Sequence, residues 1–314
     1  MTNPLDSAGI DKLAREIFET MKQVPGVQAG HRLVHAKGLV CQGTFTPSRA
    51  ASTLSKAAHF AGPAVPVTVR FSDGAPDPFV PDNSAFAGPR GIAIRFNLAG
   101  GKTTDIVAMS QNGFVVGTGE EFLALQKSIV ATDPTKPHPW PVEQFLGTHP
   151  LALKFVQGSA IAPESFATEA FFSNNTFVFV NQSGAKQVAR YKILPVAGAR
   201  HLSEDEAKVK TADYLMQDLK ARLAKGPIQH RLVAQLPNPG DPTHDPSVVW
   251  PDDRKTIDLG TLSIVSIVPD SAAAERELAY FPTNLVDGIE VSDDPFPDLR
   301  SRVYLLASNH RQKK

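Results

Sequence analysis

Residues 65–71 read Val-Pro-Val-Thr-Val-Arg-Phe, and residues 91–97 read Gly-Ile-Ala-Ile-Arg-Phe-Asn. Both stretches are short and rich in β-branched and aromatic residues, which is typical of β-strands. Similar runs lie at Leu39–Phe45 and Asp105–Val116, and Pro/Gly turns separate all four. Because such turns join strands that reverse direction, the region from about residue 33 to 115 predicts an antiparallel sheet or barrel.

Further strands are predicted towards the C-terminus. The clearest signal is a hairpin, in which Thr176–Val180 and Val188–Leu194 flank the turn sequence Asn-Gln-Ser-Gly. Strands are also predicted at His230–Leu236 and Leu259–Val268. The intervening segment Pro237–Pro251 is rich in Pro, Asp and Gly, a composition that lines a site more often than it builds a core.

Helical patterns surround the strands. Apolar residues from Ile10 to Met21 recur with helical spacing and predict an amphipathic helix at about residues 9–24. Residues 120–130 also have a helical pattern, and the capping box Ser203-Glu-Asp-Glu206 predicts a helix that runs to about Lys225. Residues 133–141 contain four prolines, which exclude a helix or a central strand there.

The fold class predicted from these patterns is α+β. The length of 314 residues fits about two domains, or one large barrel-centred domain with additions.

Composition excludes several classes of function. Lys plus Arg and Asp plus Glu are 32 each, so no global field attracts nucleic acid or anionic lipid. No stretch has the ~18 apolar residues of a membrane span.

Cys41 is the only cysteine, so an intrachain disulfide and a thiolate metal cluster are excluded, and a metal would need His, Tyr or carboxylate ligands. Residues 1–9 lack the pattern of a secretory signal, which favours the cytoplasm, or the periplasm if a leader has been removed.

Two features carry candidate chemistry. His35 lies in a β-rich run, where a histidine is usually structural. Arg300 and Tyr304 are spaced i, i+4, so a helix places them on one face. The pair fits a surface cation–π contact, but it also fits a guanidinium that stabilises the phenolate form of Tyr304, and a tyrosinate can ligate iron(III).

The order of short motifs resembles the haem catalase family from about Gly30 to Arg311. The matching motifs, in chain order, are His-Ala-Lys-Gly at 35–38, Val-Arg-Phe-Ser at 69–72, Pro-Arg-Gly at 89–91, Asp-Ile-Val at 105–107, Val-Trp-Pro at 249–251, Asn-Leu-Val-Asp-Gly-Ile-Glu at 284–290 and Arg-x-x-x-Tyr at 300–304. The resemblance implies one domain over residues 1–314, with an antiparallel β-barrel core at about 33–270, helices around it and a last helix at about 298–311. It also implies haem b as cofactor, buried between the barrel and that C-terminal helix.

The resemblance also implies catalytic and ligand roles. His35 corresponds to the distal acid–base histidine, and Ser72 to the serine that orients its imidazole. Tyr304 corresponds to the axial ligand of the iron on the opposite, proximal side, and Arg300 to the arginine that hydrogen-bonds the phenolate. From its spacing alone, Ser72 fits a simple strand hydroxyl equally well.

Three further arginines and one aromatic residue match cofactor-binding positions. Arg32, Arg70 and Arg311 correspond to the arginines that pair with the haem propionates, a role suited to a guanidinium because it binds carboxylate bidentately and stays charged. Phe122 falls where the family has an aromatic residue against the distal haem face. Plain core packing on an amphipathic helix is the alternative for Phe122, and a surface ion pair is the alternative for the arginines.

The sequence departs from large catalases in two ways. Met109 stands where they carry a distal asparagine that helps to hold a second peroxide, so we expect weaker dismutation; Ser110 or Gln111 is a possible substitute, and strand alternation alone does not say which faces the haem. The chain also ends ten residues after Tyr304, as in minimal catalase-related peroxidases. A shorter or wider channel favours peroxidase turnover.

The resulting hypothesis is a haem peroxidase that reduces hydrogen peroxide or organic hydroperoxides with an external small-molecule electron donor. The alternatives are true catalase activity, rearrangement of a fatty-acid hydroperoxide, and a non-enzymatic barrel that stores or senses haem. A homodimer is also expected, since family members associate and the N-terminal helix offers a contact.

Overall fold

The computed structural model describes residues 6–313. Residues 1–5, on which much of the signal-peptide interpretation falls, lie outside this range. The strands of the described chain are β1 (Gly38–Pro47), β2 (Val65–Ser72), β3 (Gly91–Asn97), β4 (Thr103–Met109), β5 (Phe171–Phe172), β6 (Phe177–Val180), β7 (Lys186–Pro195), β8 (Ile228–Gln235), β9 (Thr256–Ile267) and β10 (Ile289–Val291).

Eight of these strands close into an antiparallel barrel. The order around the ring is β7-β5-β4-β3-β2-β1-β9-β8, and the pairing of β8 with β7 completes it. β6 pairs with β7 as the predicted hairpin, and β10 extends that edge. The predicted α+β barrel is confirmed.

Helices cover the outside of the barrel. Within residues 6–313 they are α1 (Ser7–Met21), α2 (Ala51–Leu54), α3 (Ala58–Ala61), α4 (Gly119–Val130), α5 (Pro141–Thr148), α6 (Pro150–Ser159), α7 (Glu204–Lys208), α8 (Tyr214–Leu223), α9 (Ser271–Glu277) and α10 (Phe296–Gln312). α1 packs against α4 and α10. None of the described helices combines the length and hydrophobicity that crossing a membrane requires.

The barrel wall has an apolar inner face and a polar outer face. On β2, Val67, Val69 and Phe71 are buried in the main core, whereas Arg70 and Ser72 alternate with them on the outer face. Residues of β3 and β4 that pair with these β2 residues lie on the same two faces of the wall. Functional side chains on these strands therefore lie outside the barrel.

Two predicted elements differ from the structure. The helix expected from Ser203 to about Lys225 is two helices, α7 and α8, because Asp82 accepts a hydrogen bond from Leu215 N (2.8 Å) and fixes a new helix start. The strand expected to reach Val116 ends at Met109. There Ser110 N donates to Arg90 O and Phe114 N donates to Pro246 O, so the chain leaves the β4 path. The helices α2, α3, α5, α6 and α9 were not predicted.

Candidate active site

His35 precedes β1 in a strained backbone conformation. Its φ is 55°, and among residues 6–313 it is the only non-glycine residue with positive φ. Such strain persists where the surroundings enforce it, and functional sites are enriched in it. Here His35 N donates to Gly74 O (3.1 Å), which ties the segment to the end of β2.

Two oxygen atoms hold the imidazole of His35. Its Nδ1 lies 2.9 Å from the backbone oxygen of Asp73 and 3.1 Å from Ser72 Oγ. A carbonyl oxygen can only accept, so the proton of the neutral ring lies on Nδ1 and Nε2 is left as an acceptor. Burial and the charge of Arg70 lower the pKa of His35 to about 3, which keeps the ring neutral at pH 7.

Gly91 makes room for this arrangement. It lies opposite Ser72 in the pairing of β2 with β3, and a Cβ at Gly91 would come within 2.7 Å of Ser72 Oγ and 2.9 Å of His35 Nδ1. Any larger residue would displace the imidazole. Gly91 is therefore a site residue that sequence reasoning quoted within Pro-Arg-Gly without giving it a role.

The pairing of β4 with β3 shows which of Met109, Ser110 and Gln111 lies on the same face as Ser72. Met109 pairs with Gly91, so both lie on the outer face together with Ser72. Ser110 Oγ instead accepts a hydrogen bond from Arg90 N (2.9 Å), and Gln111 lies against Gly158 of α6. Met109 therefore lies on the same face as Ser72, whose hydroxyl is 3.1 Å from His35 Nδ1.

On α10, Arg300 donates to Tyr304 Oη from Nε (3.2 Å) and from Nη2 (3.0 Å). Nη1 of Arg300 donates to Asn175 Oδ1, and Asn175 Nδ2 donates to Asp294 Oδ2 (2.9 Å). Asp294 also accepts from Phe296 N (2.9 Å) in the first turn of α10. Arg300 is therefore anchored as a hydrogen-bond donor to the phenol oxygen.

Asn175 and Asp294 were missed at the sequence level. Burial raises the pKa of Asp294, while the hydrogen bonds from Asn175 and from backbone amides oppose that shift. The only signal in the sequence was the position of Asp294, two residues before the start of α10, and nothing in the sequence linked Asp294 to Asn175.

Arg32, Arg70 and Arg311 come together through shared acceptors. Arg32 and Arg311 both donate to Leu278 O, at 2.7 and 3.0 Å. Arg32 and Arg70 both donate to the carboxylate of Glu275, at 2.9 and 2.7 Å. Arg70 also donates to His35 O (2.7 Å). This hydrogen bond connects the three arginines, called here the arginine cluster, to the segment that carries His35.

A single apolar cluster contains residues of α1, α4 and α10 and of the segment that carries His35. Leu33, two residues before His35, and Val303, next to Tyr304, are both buried in it. Tyr304 and Phe122 are partly buried against the same cluster. Phe122 also packs against the ring of Phe114 at 5.6 Å, so core packing accounts for its position at least in part.

The residues present fit an iron porphyrin. A phenol oxygen with two guanidinium donors is a suitable axial ligand for iron(III), and clustered arginines suit the two propionates. Gly91 and Ala93 both lie on the outer face of β3, and their small size leaves space beside that face. The neutral imidazole of His35 supplies an acid–base group beside Gly91.

Comparison with known proteins decides the family. The family model described as Catalase matches residues 14–313. The chain belongs to the catalase family. It is 35% identical over 297 residues to a catalase-related peroxidase of Mycolicibacterium paratuberculosis, covering 92% of this chain and 91% of that protein. It is 31% identical over 304 residues to a catalase-related peroxidase of Synechococcus elongatus, covering 95% and 88%.

Full-length catalases are more distant. Catalase-1 of Arabidopsis thaliana is 26% identical over 306 residues, which cover 90% of this chain but only 60% of that protein. The resemblance to minimal catalase-related peroxidases is therefore confirmed. The catalytic and cofactor roles of individual residues stay predictions.

Proposed function

We propose that this chain binds haem b and reduces hydrogen peroxide or organic hydroperoxides with electrons from an external small-molecule donor. Membership of the catalase family makes it a peroxide-consuming haem enzyme. The observation that supports the residue assignment is the neutral His35, whose Nδ1 is held by Asp73 O and Ser72 Oγ.

His35 is the proton carrier in this proposal. Nε2 would accept a proton from the hydroperoxide and return it to the departing hydroxyl or alkoxyl oxygen. The balanced reaction takes one hydroperoxide, two electrons and two protons to one alcohol, or water, and one water. The donor supplies the electrons, and the haem iron supplies the redox centre at which the O–O bond breaks.

The other side chains bind and orient. Tyr304 would ligate the haem iron through its phenol oxygen, to which Arg300 donates two hydrogen bonds that would stabilise an anionic ligand. Arg32, Arg70 and Arg311 are the proposed partners of the propionates. A cytoplasmic location and a homodimer stay predictions from the sequence.

Two variants test the assignment. We expect His35→Ala to retain haem but to consume peroxide about 10²- to 10⁴-fold more slowly, because the proton transfer is lost. We expect Tyr304→Phe to weaken haem retention and to remove the tyrosinate charge-transfer bands from the visible spectrum. His31→Ala, at an exposed residue four positions earlier, is the control and should leave both properties unchanged.

The outcomes separate the alternatives. Undiminished peroxide consumption in His35→Ala refutes the distal role, and an unchanged spectrum in Tyr304→Phe refutes the axial role. Oxygen evolution without a donor would indicate a catalase, and conversion of a fatty-acid hydroperoxide without a donor would indicate a rearrangement. Haem binding with no peroxide reaction would indicate storage or sensing.

A further inference from the structure

The carboxylate of Glu275 occupies the centre of the arginine cluster. Its Oε1 and Oε2 accept from Arg70 Nε at 2.7 and 2.8 Å, and Oε2 also accepts from Arg32 Nη1 at 2.9 Å. Only 17% of the side chain is exposed. Glu275 lies on α9, which follows β9, and packing of that helix against β1 holds it in place.

The cluster needs a counter-ion. Burial, together with the neighbouring Arg70, lowers the pKa of Arg32 to about 9, while Glu275 acts in the opposite direction. Burial and Arg70 also lower the pKa of Arg311. Three cations and one carboxylate leave a net charge of about +2 in this group, and the two propionates of a haem would neutralise it.

Glu275 and backbone carbonyl oxygens already accept hydrogen bonds from all three arginines. Arg70 uses Nε for Glu275 and Nη2 for His35 O. Arg311 uses Nε for Arg276 O and Nη2 for Leu278 O, and Arg32 uses both terminal nitrogens. Within the described residues, no guanidinium of the cluster keeps two adjacent nitrogens without a partner. A propionate that binds Arg32 or Arg70 therefore has to share that guanidinium with the carboxylate of Glu275.

We propose that Glu275 is a built-in counter-ion that competes with the haem propionates for Arg32 and Arg70. It keeps the arginine cluster assembled in the haem-free protein and lowers the affinity of that protein for haem. This inference rests on the proposed haem binding and deepens it, since it assigns the control of cofactor loading to a residue outside the catalytic set.

Thermodynamic linkage gives the sign of the effect. Loss of the carboxylate leaves the three arginines without a compensating negative charge in the haem-free protein, whereas propionates still compensate them in the haem-bound protein. Glu275→Gln should therefore lower the thermal unfolding midpoint of the haem-free protein. It should also tighten haem binding by about fivefold or more, the lower end of ordinary coupling between sites.

The test compares wild type, Glu275→Gln and Glu277→Gln. Glu277 is exposed on the same helix and is the matched control. Haem affinity is measured by spectral titration, and the rate of haem loss from the purified holoprotein to an excess of a haem scavenger is measured separately. We expect slower haem loss only in Glu275→Gln, and this measurement still decides if the haem-free variant does not fold.

A modified cofactor shows whether the effect passes through the propionates. With the dimethyl ester of haem, which lacks both negative charges, wild type and Glu275→Gln should bind with similar affinity. Equal or weaker binding of ordinary haem by Glu275→Gln, or an equal gain with the ester, overturns the inference. If wild type binds no haem at all, the proposed function fails instead, so the two failures are distinguishable.

Discussion

At the residue scale, His35 shows how local strain serves a site. A positive φ in a residue with a β-carbon costs free energy, and here two backbone hydrogen bonds to Gly74 and Ala75 hold the segment in that conformation. The contact of Nδ1 with Asp73 O then selects the tautomer. The base is therefore oriented before any substrate arrives.

The pKa of His35 predicts the pH dependence of peroxide consumption. Because burial and Arg70 lower that pKa to about 3, the neutral ring predominates throughout the range from pH 7 down to about pH 4. The second-order rate constant for peroxide should stay level over this range and fall only as the pH approaches 3. Stopped-flow measurements of the folded holoprotein check this, and a half-maximal rate near pH 6.5 would contradict it.

At the element scale, helix α10 carries three of the predicted site residues on one side. Arg300, Tyr304 and Arg311 follow a spacing of four and then seven residues, which keeps all three near one helical stripe. The hydrogen bond from Phe296 N to Asp294 Oδ1 secures the start of this helix. One element therefore supplies the predicted iron ligand, its hydrogen-bond donor and a predicted propionate partner.

The register of β2, β3 and β4 predicts how the peroxidase can be shifted towards catalase activity. Met109 lies in line with Gly91 and Ser72, and its thioether offers no strong hydrogen bond to a second peroxide. We expect Met109→Asn to raise oxygen evolution without a donor, with little change in the first reaction with peroxide. An oxygen electrode measures this.

Val107→Asn is the control for that prediction. Val107 lies on the same outer face of β4 but pairs with Ala93, one position further along the wall. The Val107→Asn variant should leave oxygen evolution unchanged. Equal effects of the two variants would show that Met109 has no special position beside the distal site.

At the scale of the whole molecule, the barrel interior contains two uncharged histidines among aromatic rings. The ring of His59 lies 4.0 Å from that of Phe60 and 4.5 Å from that of Phe96, and His230 packs between Phe71 and Phe171. Burial lowers the pKa of His59 to about 3 and that of His230 to about 4. Both rings are therefore neutral in the folded protein above about pH 4.

These histidines predict acid lability of the fold. Between about pH 6.5 and pH 4 the unfolded chain binds protons that the folded barrel does not, so the free energy of unfolding falls as the pH falls. Each histidine contributes a slope of up to about 1.4 kcal/mol per pH unit. His59→Phe should make the slope shallower by about one histidine's share in urea unfolding at several pH values. His244→Phe, at an exposed residue, should not change it.

The sequence predicted the barrel, the hairpin β6–β7 and the proximal helix because each is a local pattern of alternation, turn residues or helical spacing. The family resemblance also proposed roles for His35, Ser72, Arg300 and Tyr304. The structure brings His35 against Ser72 and Arg300 against Tyr304, and the roles themselves stay predictions. Asn175, Asp294 and Glu275 were missed. Each acts on a residue far away in the chain, and no local pattern marks such a partner.

What the sequence by itself determined is the kind of protein: an α+β barrel with the motifs of the catalase family in order. Only the tertiary structure decided that Met109 lies on the same face as Gly91 and Ser72 and that Glu275 lies between Arg32 and Arg70. The physical reason is that alternation along a strand fixes two faces but not which of them meets a partner. That choice depends on strand register and on the closure of the barrel, which bring together residues separated by hundreds of positions.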